Sequence, residues 1–173
     1  MKLLENIQNY DVITFKWCLS RKNRKLMVGM ARWISKTADG HLYVIIALVL
    51  LVQHEYRLCL IVASAFSIER CLYFVLKKGF RRKRPPQALP NYKSVIEPGD
   101  QFSLPSGHTS AAFLAATLIS AFVPVTASPL LLWAVSVGMS RVVLGVHFPS
   151  DTFAGAILGM SIAQATLITF SYL

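Results

Sequence analysis

The sequence predicts an all-α fold: an integral membrane bundle of about five transmembrane helices with an interfacial amphipathic helix at its N-terminal end. Three observations support this class. Hydrophobic residues make up 54% of the 173 residues, and charged residues only 15%. The mean hydropathy of +0.51 is too high for a soluble domain of this length. Several apolar stretches also approach the roughly 20 residues that a helix needs to cross a bilayer. We therefore expect residues 1–173 to form a single membrane domain.

Residues 1–38 form an arm ahead of the first long apolar run. Apolar residues recur at roughly helical spacing in LENIQNYDVITFKWCL, and the basic cluster SRKNRK follows. This pattern predicts an amphipathic helix in the membrane interface. A solvated basic arm explains the pattern equally well. Because Lys2, Glu5 and Asp11 precede any apolar run, the arm lacks the layout of a cleaved signal peptide, and we expect the spans to belong to the mature protein.

Apolar stretches that follow the arm are the candidate transmembrane helices: residues 42–52, 58–76, 109–123, 130–146 and 152–173. The first is short, so it can span only with neighbouring residues or where the bilayer is thin. A long polar loop separates the second stretch from the third and contains Pro85, Pro86, Pro90 and Pro98. The prolines argue against helix and against regular strand, and long loops in compact domains are often functional.

Three polar clusters border these stretches. They are KKGFRRKRP after the second stretch, PSGH before the third, and SRVVLGVHFPSD between the fourth and the fifth. If the helices alternate in direction across the membrane, all three clusters lie on the same face. The predicted site then combines three long cations, two histidines and one carboxylate: Lys77, Arg84, Arg141, His108, His147 and Asp151.

This combination indicates a phosphate site. A helix start offers free backbone N–H donors and a positive dipole end, and arginine binds phosphate oxygens in bidentate fashion. A neutral His147 can attack phosphorus when Asp151, four residues later, fixes its other ring nitrogen. His108 can then protonate the leaving oxygen. No carboxylate cluster is available for a divalent metal, so we expect the cations to replace it and expect no cofactor.

The set K-x6-RP, PSGH and SR-x5-H-x3-D resembles the motifs of the type 2 phosphatidic acid phosphatase (PAP2) superfamily, and it occurs in family order within residues 77–151. That family includes bacterial lipid phosphatases and undecaprenyl pyrophosphate phosphatases and is related to vanadium haloperoxidases. The resemblance implies that residues 77–151 are the catalytic core. It implies His147 as nucleophile, Asp151 as its orienting partner and His108 as general acid. It assigns phosphate binding to the other motif residues, namely Lys77, Arg84, Ser106, the backbone N–H of Gly107, and Arg141.

The function that the resemblance implies is a metal-independent membrane lipid phosphatase with a phosphohistidine intermediate. Its expected substrate is undecaprenyl pyrophosphate, phosphatidate, lysophosphatidate or phosphatidylglycerol phosphate. A catalytically idle membrane protein that binds anionic lipids is the alternative from another class, and a vanadate-dependent oxidation is a more distant one. The expected partners are the lipid substrate and the bilayer, without nucleic acid. The net charge of +10 fits an anionic lipid surface.

Charge and resemblance disagree on the side of the membrane that holds the site. Of 18 lysines and arginines, 16 lie in residues 1–38, in residues 77–93 or at Arg141. The positive-inside rule therefore places the site in the cytoplasm. The resemblance implies a bacterial inner membrane protein with its site at the periplasmic face. Without the presumed ligands Lys77, Arg84 and Arg141 the count is still 13 against one. Functional cations can violate this rule, and the short first stretch leaves the side of the N-terminal arm open, so we follow the resemblance and favour the periplasmic face.

The remaining polar residues have simpler interpretations. Glu69, within the second stretch, is expected to face the bundle interior and to pair with a basic residue. Glu97 and Asp100 are expected to be loop and turn residues and not acids in the mechanism. A juxtamembrane patch on anionic lipid is expected from the basic residues Lys78, Arg81, Arg82 and Lys83.

Overall fold

The structure, a computed structural model, describes the backbone of residues 2–20 and 23–171 and the side chains of residues 7–20 and 23–171. Within these ranges all regular structure is helical, which confirms the predicted all-α class. The helices are α1 (Lys2–Leu19), α2 (Arg24–Lys36), α3 (Gly40–Val52), α4 (Tyr56–Phe80), α5 (Pro85–Ala88), α6 (Gly107–Phe122), α7 (Ala127–Val143) and α8 (Pro149–Ser171), with a 3₁₀ turn at Pro124–Thr126.

Four helical segments of the described chain are long and apolar enough to cross a membrane: Arg24–Val52, Tyr56–Ala88, Pro124–Val143 and Pro149–Ser171. A fifth helix, α6, has only 16 residues, but most of its side chains are buried. It is the centre of the bundle, with α4, α7 and α8 packed around it. Within the first of these segments the apolar helix is α3, which adds only Gly40 and His41 to the short stretch predicted at residues 42–52, and a turn at residues 37–39 separates it from α2.

Small residues let α6 and α8 approach closely. A methyl group at Gly155 would lie 2.6 Å from the backbone oxygen of Ser106, and one at Gly159 would lie 2.2 Å from that of Ser110. Neither glycine can carry a side chain here, as is common where membrane helices pack closely. The contact places the start of α6 beside the start of α8, where the Ser106 N–H donates to the Asp151 carbonyl at 3.0 Å. Two of the three polar clusters are thereby joined.

The N-terminal helices α1 and α2 are both amphipathic. Phe15 of α1 is fully buried, and Ala31 of α2 is nearly so. The opposite sides expose apolar residues at helical spacing: Ile7, Tyr10, Ile13 and Trp17 on α1, and Leu26, Met30 and Trp33 on α2. Such stripes are typical of helices that lie in the membrane interface, and the arm contains two amphipathic helices where one was predicted. Arg21 and Lys22 of the predicted basic cluster lie outside the described residues.

Candidate active site

The start of α6 lines a cavity of about 740 Å³ at one end of the bundle. Ser106 precedes the helix and is fully buried, and its hydroxyl accepts a hydrogen bond from Thr109 at 2.9 Å. Gly107 begins the helix beneath Tyr73, where a methyl group would lie 2.8 Å from the aromatic ring. Gly107 and His108 line the cavity at this helix start, and the free backbone N–H groups of a helix start favour an anion.

Lys77 and Arg84 are buried cations that share Asp100. Lys77 Nζ lies 2.5 Å and Arg84 Nη2 2.6 Å from Asp100 Oδ1, and the Tyr73 hydroxyl donates to Oδ2 at 2.7 Å. Burial alone would raise the pKa of the Asp100 carboxyl, but the hydrogen bonds from Lys77, Tyr73 and Arg84 hold that pKa below its usual range. Asp100 lies in the loop, as expected, and its carboxylate also balances two cations of the site, which the sequence did not indicate.

Arg141 reaches the same cavity from the last turn of α7. Its Nη1 donates to the hydroxyl of Ser35 in α2 at 2.6 Å. Its Nε is buried and has no hydrogen-bond partner among the described residues. A buried, charged N–H without an acceptor is unfavourable, so this position is suited to an oxyanion in the cavity.

His147 and Asp151 form a buried pair at the start of α8. Asp151 Oδ2 lies 3.7 Å from His147 Nδ1 and accepts hydrogen bonds from the Ser103 hydroxyl at 2.5 Å and the Phe148 N–H at 2.7 Å. The other ring nitrogen, Nε2, is 3.2 Å from Arg84 Nη1. Burial lowers the pKa of His147 to about 4, the Asp151 carboxylate opposes this shift, and the Arg84 charge adds to it. The imidazole is therefore neutral near pH 7, and the Arg84 donor at Nε2 together with the Asp151 carboxylate on the Nδ1 side favours the tautomer with its lone pair at Nε2.

His108, in the first turn of α6, lines the cavity together with His147. Its Nε2 lies 3.1 Å from Oδ1 of Asp39, which precedes α3. Sequence reasoning missed Asp39 and also Ser103, because each lies in a turn or loop without a motif around it. The cavity therefore contains two histidines, and each has an aspartate beside it.

Beyond the cations, the cavity continues into an apolar cleft between α3 and α4. The walls of this cleft are Tyr43, Val44, Ala47, Val62, Ala63 and Phe66. A cavity with a cationic end and an apolar arm has the shape and polarity to hold an amphiphile with an anionic head group.

Arg82 is not part of a surface patch. α4 ends at Phe80, and Arg81 adopts a left-handed conformation with φ of 47° that turns the chain. The Arg82 side chain then runs inward, where Nη1 donates to Asp151 Oδ1 at 2.6 Å and Nη2 to Asp11 Oδ2 at 2.5 Å. The lipid-patch interpretation is wrong for this residue, because two buried carboxylates hold its guanidinium away from the surface.

Glu69 is fully buried in α4 and has a basic partner, as its place in an apolar stretch predicts. Arg70 donates to it through two nitrogens, at 2.5 and 2.7 Å. The hydroxyl of Ser110 in α6 also donates to it. Glu69 therefore links α4 to the central helix and does not enter the cavity.

The structure places all eight predicted site residues at the same end of the bundle. Those that line the cavity are Arg84, Gly107, His108, Arg141 and His147, and those behind its wall are Lys77, Ser106 and Asp151. Fold and site together define a membrane-embedded helical protein with a cation-lined anion site. A family model described as PAP2 superfamily matches residues 56–173. The chain therefore belongs to the PAP2 superfamily.

Two sequence relatives illustrate the family. The chain is 32% identical over 128 residues to the bacitracin transport permease protein BcrC of Bacillus licheniformis, covering 74% of this chain and 56% of that protein. It is 30% identical over 169 residues to an undecaprenyl-diphosphatase of Sulfolobus acidocaldarius, covering 92% of this chain and 79% of that protein. The chain thus spans little more than half the length of the first of these relatives.

Two solved structures share the fold. One is the crystal structure of a transmembrane PAP2 type phosphatidylglycerolphosphate phosphatase from Bacillus subtilis, with a TM-score of 0.80, 23% identity, and coverage of 97% of this chain and 88% of that one. The other is Aquifex aeolicus LpxE, with a TM-score of 0.77, 24% identity, and coverage of 91% and 94%. At these identities the likeness establishes the common helical arrangement.

Proposed function

We propose that the chain is a metal-independent lipid phosphatase that hydrolyses a phosphomonoester or a diphosphate of a lipid through a phosphohistidine. One observation carries the proposal: the buried, neutral His147 presents Nε2 to Arg84 while Asp151 lies behind Nδ1. A phosphate held by the cations of the cavity would meet that lone pair. Membership of the family supports the activity, since its relatives include an undecaprenyl-diphosphatase and a phosphatidylglycerophosphatase B.

In the proposed reaction, Nε2 of His147 forms a bond to phosphorus as the bond from phosphorus to the leaving oxygen breaks. His108 gives its proton to that oxygen. Lys77, Arg84 and Arg141 balance the charge on the phosphate oxygens, the task that a metal ion performs in other phosphatases. A water molecule then adds its hydroxyl to phosphorus, releases His147 and returns a proton to His108. The products are inorganic phosphate and, from a phosphomonoester, the lipid alcohol or, from a diphosphate, the lipid monophosphate.

The start of α6 and Asp151 complete the proposed site. The Ser106 hydroxyl already accepts a bond from Thr109, so its own proton is available to a phosphate oxygen. The Gly107 N–H is the corresponding backbone donor. Asp151 stabilises the positive charge that His147 acquires when Nε2 attacks, because its carboxylate lies beside Nδ1.

The apolar cleft between α3 and α4 argues for a lipid substrate rather than a soluble phosphate ester. An acyl or prenyl chain lying between Val44 and Val62 would place its phosphate at the cationic end of the cavity. The candidates are undecaprenyl pyrophosphate, phosphatidate, lysophosphatidate and phosphatidylglycerol phosphate. The alternative function, a catalytically idle protein that binds anionic lipids, fits the cations but gives the two histidines no task.

We further propose that the protein lies in a bacterial inner membrane with its active site at the periplasmic face. The positive-inside rule favours the cytoplasmic face. However, Lys77, Arg82 and Arg84 are each bonded to aspartates inside the fold. Their presence on this face is therefore explained by the site and not by membrane insertion.

Phosphate release from a panel of purified lipid phosphates, with EDTA present, tests the proposed function. We expect turnover of at least one lipid in EDTA and none by the His147→Ala variant. The idle-protein alternative predicts lipid binding without release in both proteins. Release that stops in EDTA and returns with a divalent ion would contradict metal independence.

A further inference from the structure

The Asp151 carboxylate is held from two sides. Its Oδ2 faces His147 and Ser103, as described above. Its Oδ1 accepts a hydrogen bond from Arg82 Nη1 at 2.6 Å. The same guanidinium lies over the ring of Phe148, 4.9 Å from the ring centre, and the Arg82 side chain is only 16% exposed. Arg82 is therefore part of the wall behind the histidine and aspartate pair.

The Arg82 guanidinium also reaches α1. Its Nη2 donates to Asp11 Oδ2 at 2.5 Å and to Gln8 Oε1 at 2.8 Å. Asp11 in turn accepts two hydrogen bonds from Ser150, from the N–H at 2.9 Å and from the hydroxyl at 2.5 Å. Asp11 itself is only 4% exposed. The buried Asp11 carboxylate therefore binds both Arg82, which donates to Asp151, and the backbone of Ser150, which immediately precedes Asp151.

We propose that Asp11 and Arg82 are positioning residues for the nucleophile, an inference that rests on the proposed role of His147. Charge alternates from Asp11 to Arg82 to Asp151, and Asp151 fixes which ring nitrogen of His147 carries the proton. The other face of α1 carries the exposed apolar stripe suited to the membrane interface. Through Asp11 and Arg82, the position of α1 in the membrane interface would thereby affect the orientation of the His147 imidazole.

The kinetic test compares Arg82→Gln, Asp11→Asn and their double variant with the wild type, using a soluble aryl phosphate and a short-chain lipid phosphate. Each single variant should lower kcat by about 10- to 100-fold, the effect of one hydrogen bond to a charged group, while KM changes little. The double variant should lose no more than the worse single one, because both residues act through Asp151. Arg82→Lys, which keeps the charge, should recover part of the loss.

The matched control is Arg81→Gln, since Arg81 is exposed and, among the described residues, its side chain donates only to the nearby Lys78 carbonyl, from Nε at 3.1 Å. We expect this variant to keep wild-type kcat. An Arg82→Gln variant as active as Arg81→Gln would overturn the proposal. So would a loss confined to KM, or losses that multiply in the double variant. If Arg82→Gln does not remain monodisperse in detergent, Arg82→Lys and Asp11→Asn provide the same comparison.

A second measurement does not depend on turnover. The ¹⁵N spectrum of histidine-labelled protein reports the tautomer of His147, which should be protonated at Nδ1 in the wild type and mixed in Arg82→Gln and Asp11→Asn. An unchanged tautomer in both variants contradicts the positioning role whether or not the protein is active. Conversely, a wild type that releases no phosphate, with a tautomer that responds to both variants, refutes the proposed function and leaves the positioning role intact.

Discussion

Replacing Arg141 by lysine tests how the site holds phosphate. Arg141 uses Nη1 for Ser35 and leaves Nε buried without a partner among the described residues. Lysine has a single terminal nitrogen, so it keeps the charge but cannot serve Ser35 and a phosphate oxygen in the fork geometry of a guanidinium. The loss corresponds to one hydrogen bond to a charged group, about 1.5–3 kcal/mol. We therefore expect kcat/KM to fall by about 10- to 150-fold.

The assay is phosphate release by purified Arg141→Lys protein in detergent, with thermal midpoint and monodispersity measured on the same sample. Arg57→Lys is the matched control, because Arg57 lies in the first turn of α4, at the other end of the helix from the site, and donates to the Phe170 carbonyl at 2.8 Å. This control should keep wild-type kcat/KM. A fall of less than about 3-fold in Arg141→Lys, with both proteins folded, would show that the guanidinium fork does not bind the phosphate.

Four further outcomes are expected. His147→Ala should lose activity on every substrate. His108→Ala should lose about 10²–10⁴-fold in rate on an alkyl phosphate ester but little on an aryl phosphate, because the aryl oxygen leaves without a proton. The ratio of the two rates, measured in each variant, checks this. The pKa of His147 is about 4 in the folded protein against 6.5 for an ordinary histidine, so the unfolded chain binds the extra proton between these values. The free energy of unfolding, followed by denaturant titration, should therefore fall as the pH drops from 6.5 to 4. Gly159→Ala should lower the thermal midpoint, because its methyl group would meet a backbone oxygen at 2.2 Å, whereas Gly79→Ala, with no atom within 4 Å, should not. A single cysteine placed within residues 87–92 of a cysteine-free chain should react with an impermeant maleimide in intact spheroplasts, and labelling only after lysis would reverse the proposed orientation.

The membrane helices and the three polar clusters could be predicted because each is encoded in consecutive residues. A long stretch of apolar residues predicts a membrane span whatever packs against it. Likewise, PSGH directly before an apolar stretch predicts a helix start that can bind an anion. Alternation of the helices across the bilayer then brings the clusters to one end. Nothing more than local pattern and topology is needed to place His108, Arg141 and His147 at the same cavity.

The carboxylates around these residues could not be predicted, because their partners are distant in the chain. Asp11 lies 71 residues from Arg82, and Asp39 lies 69 residues from His108. An aspartate in an arm or a loop has the same local pattern whether it faces water or a buried cation. The interpretation of Arg82 was wrong for the same reason, since a run of basic residues does not show which member turns inward. That choice is made by the backbone turn at Arg81, which depends on the end of α4.

The cavity has walls of two kinds, and this division separates the choice of lipid from the chemistry. His108 lies at the start of α6 and His147 immediately before α8, and these two helices pack closely against each other. The apolar cleft, in contrast, is lined by residues of α3 and α4. Exchanging Ala47 or Phe66 for a larger or smaller residue would change the width of the cleft without altering the backbone that spaces His108 from His147. For the proposed lipid phosphatase, this means that substitutions within one helical hairpin would adapt the same site to acyl or prenyl chains of different bulk.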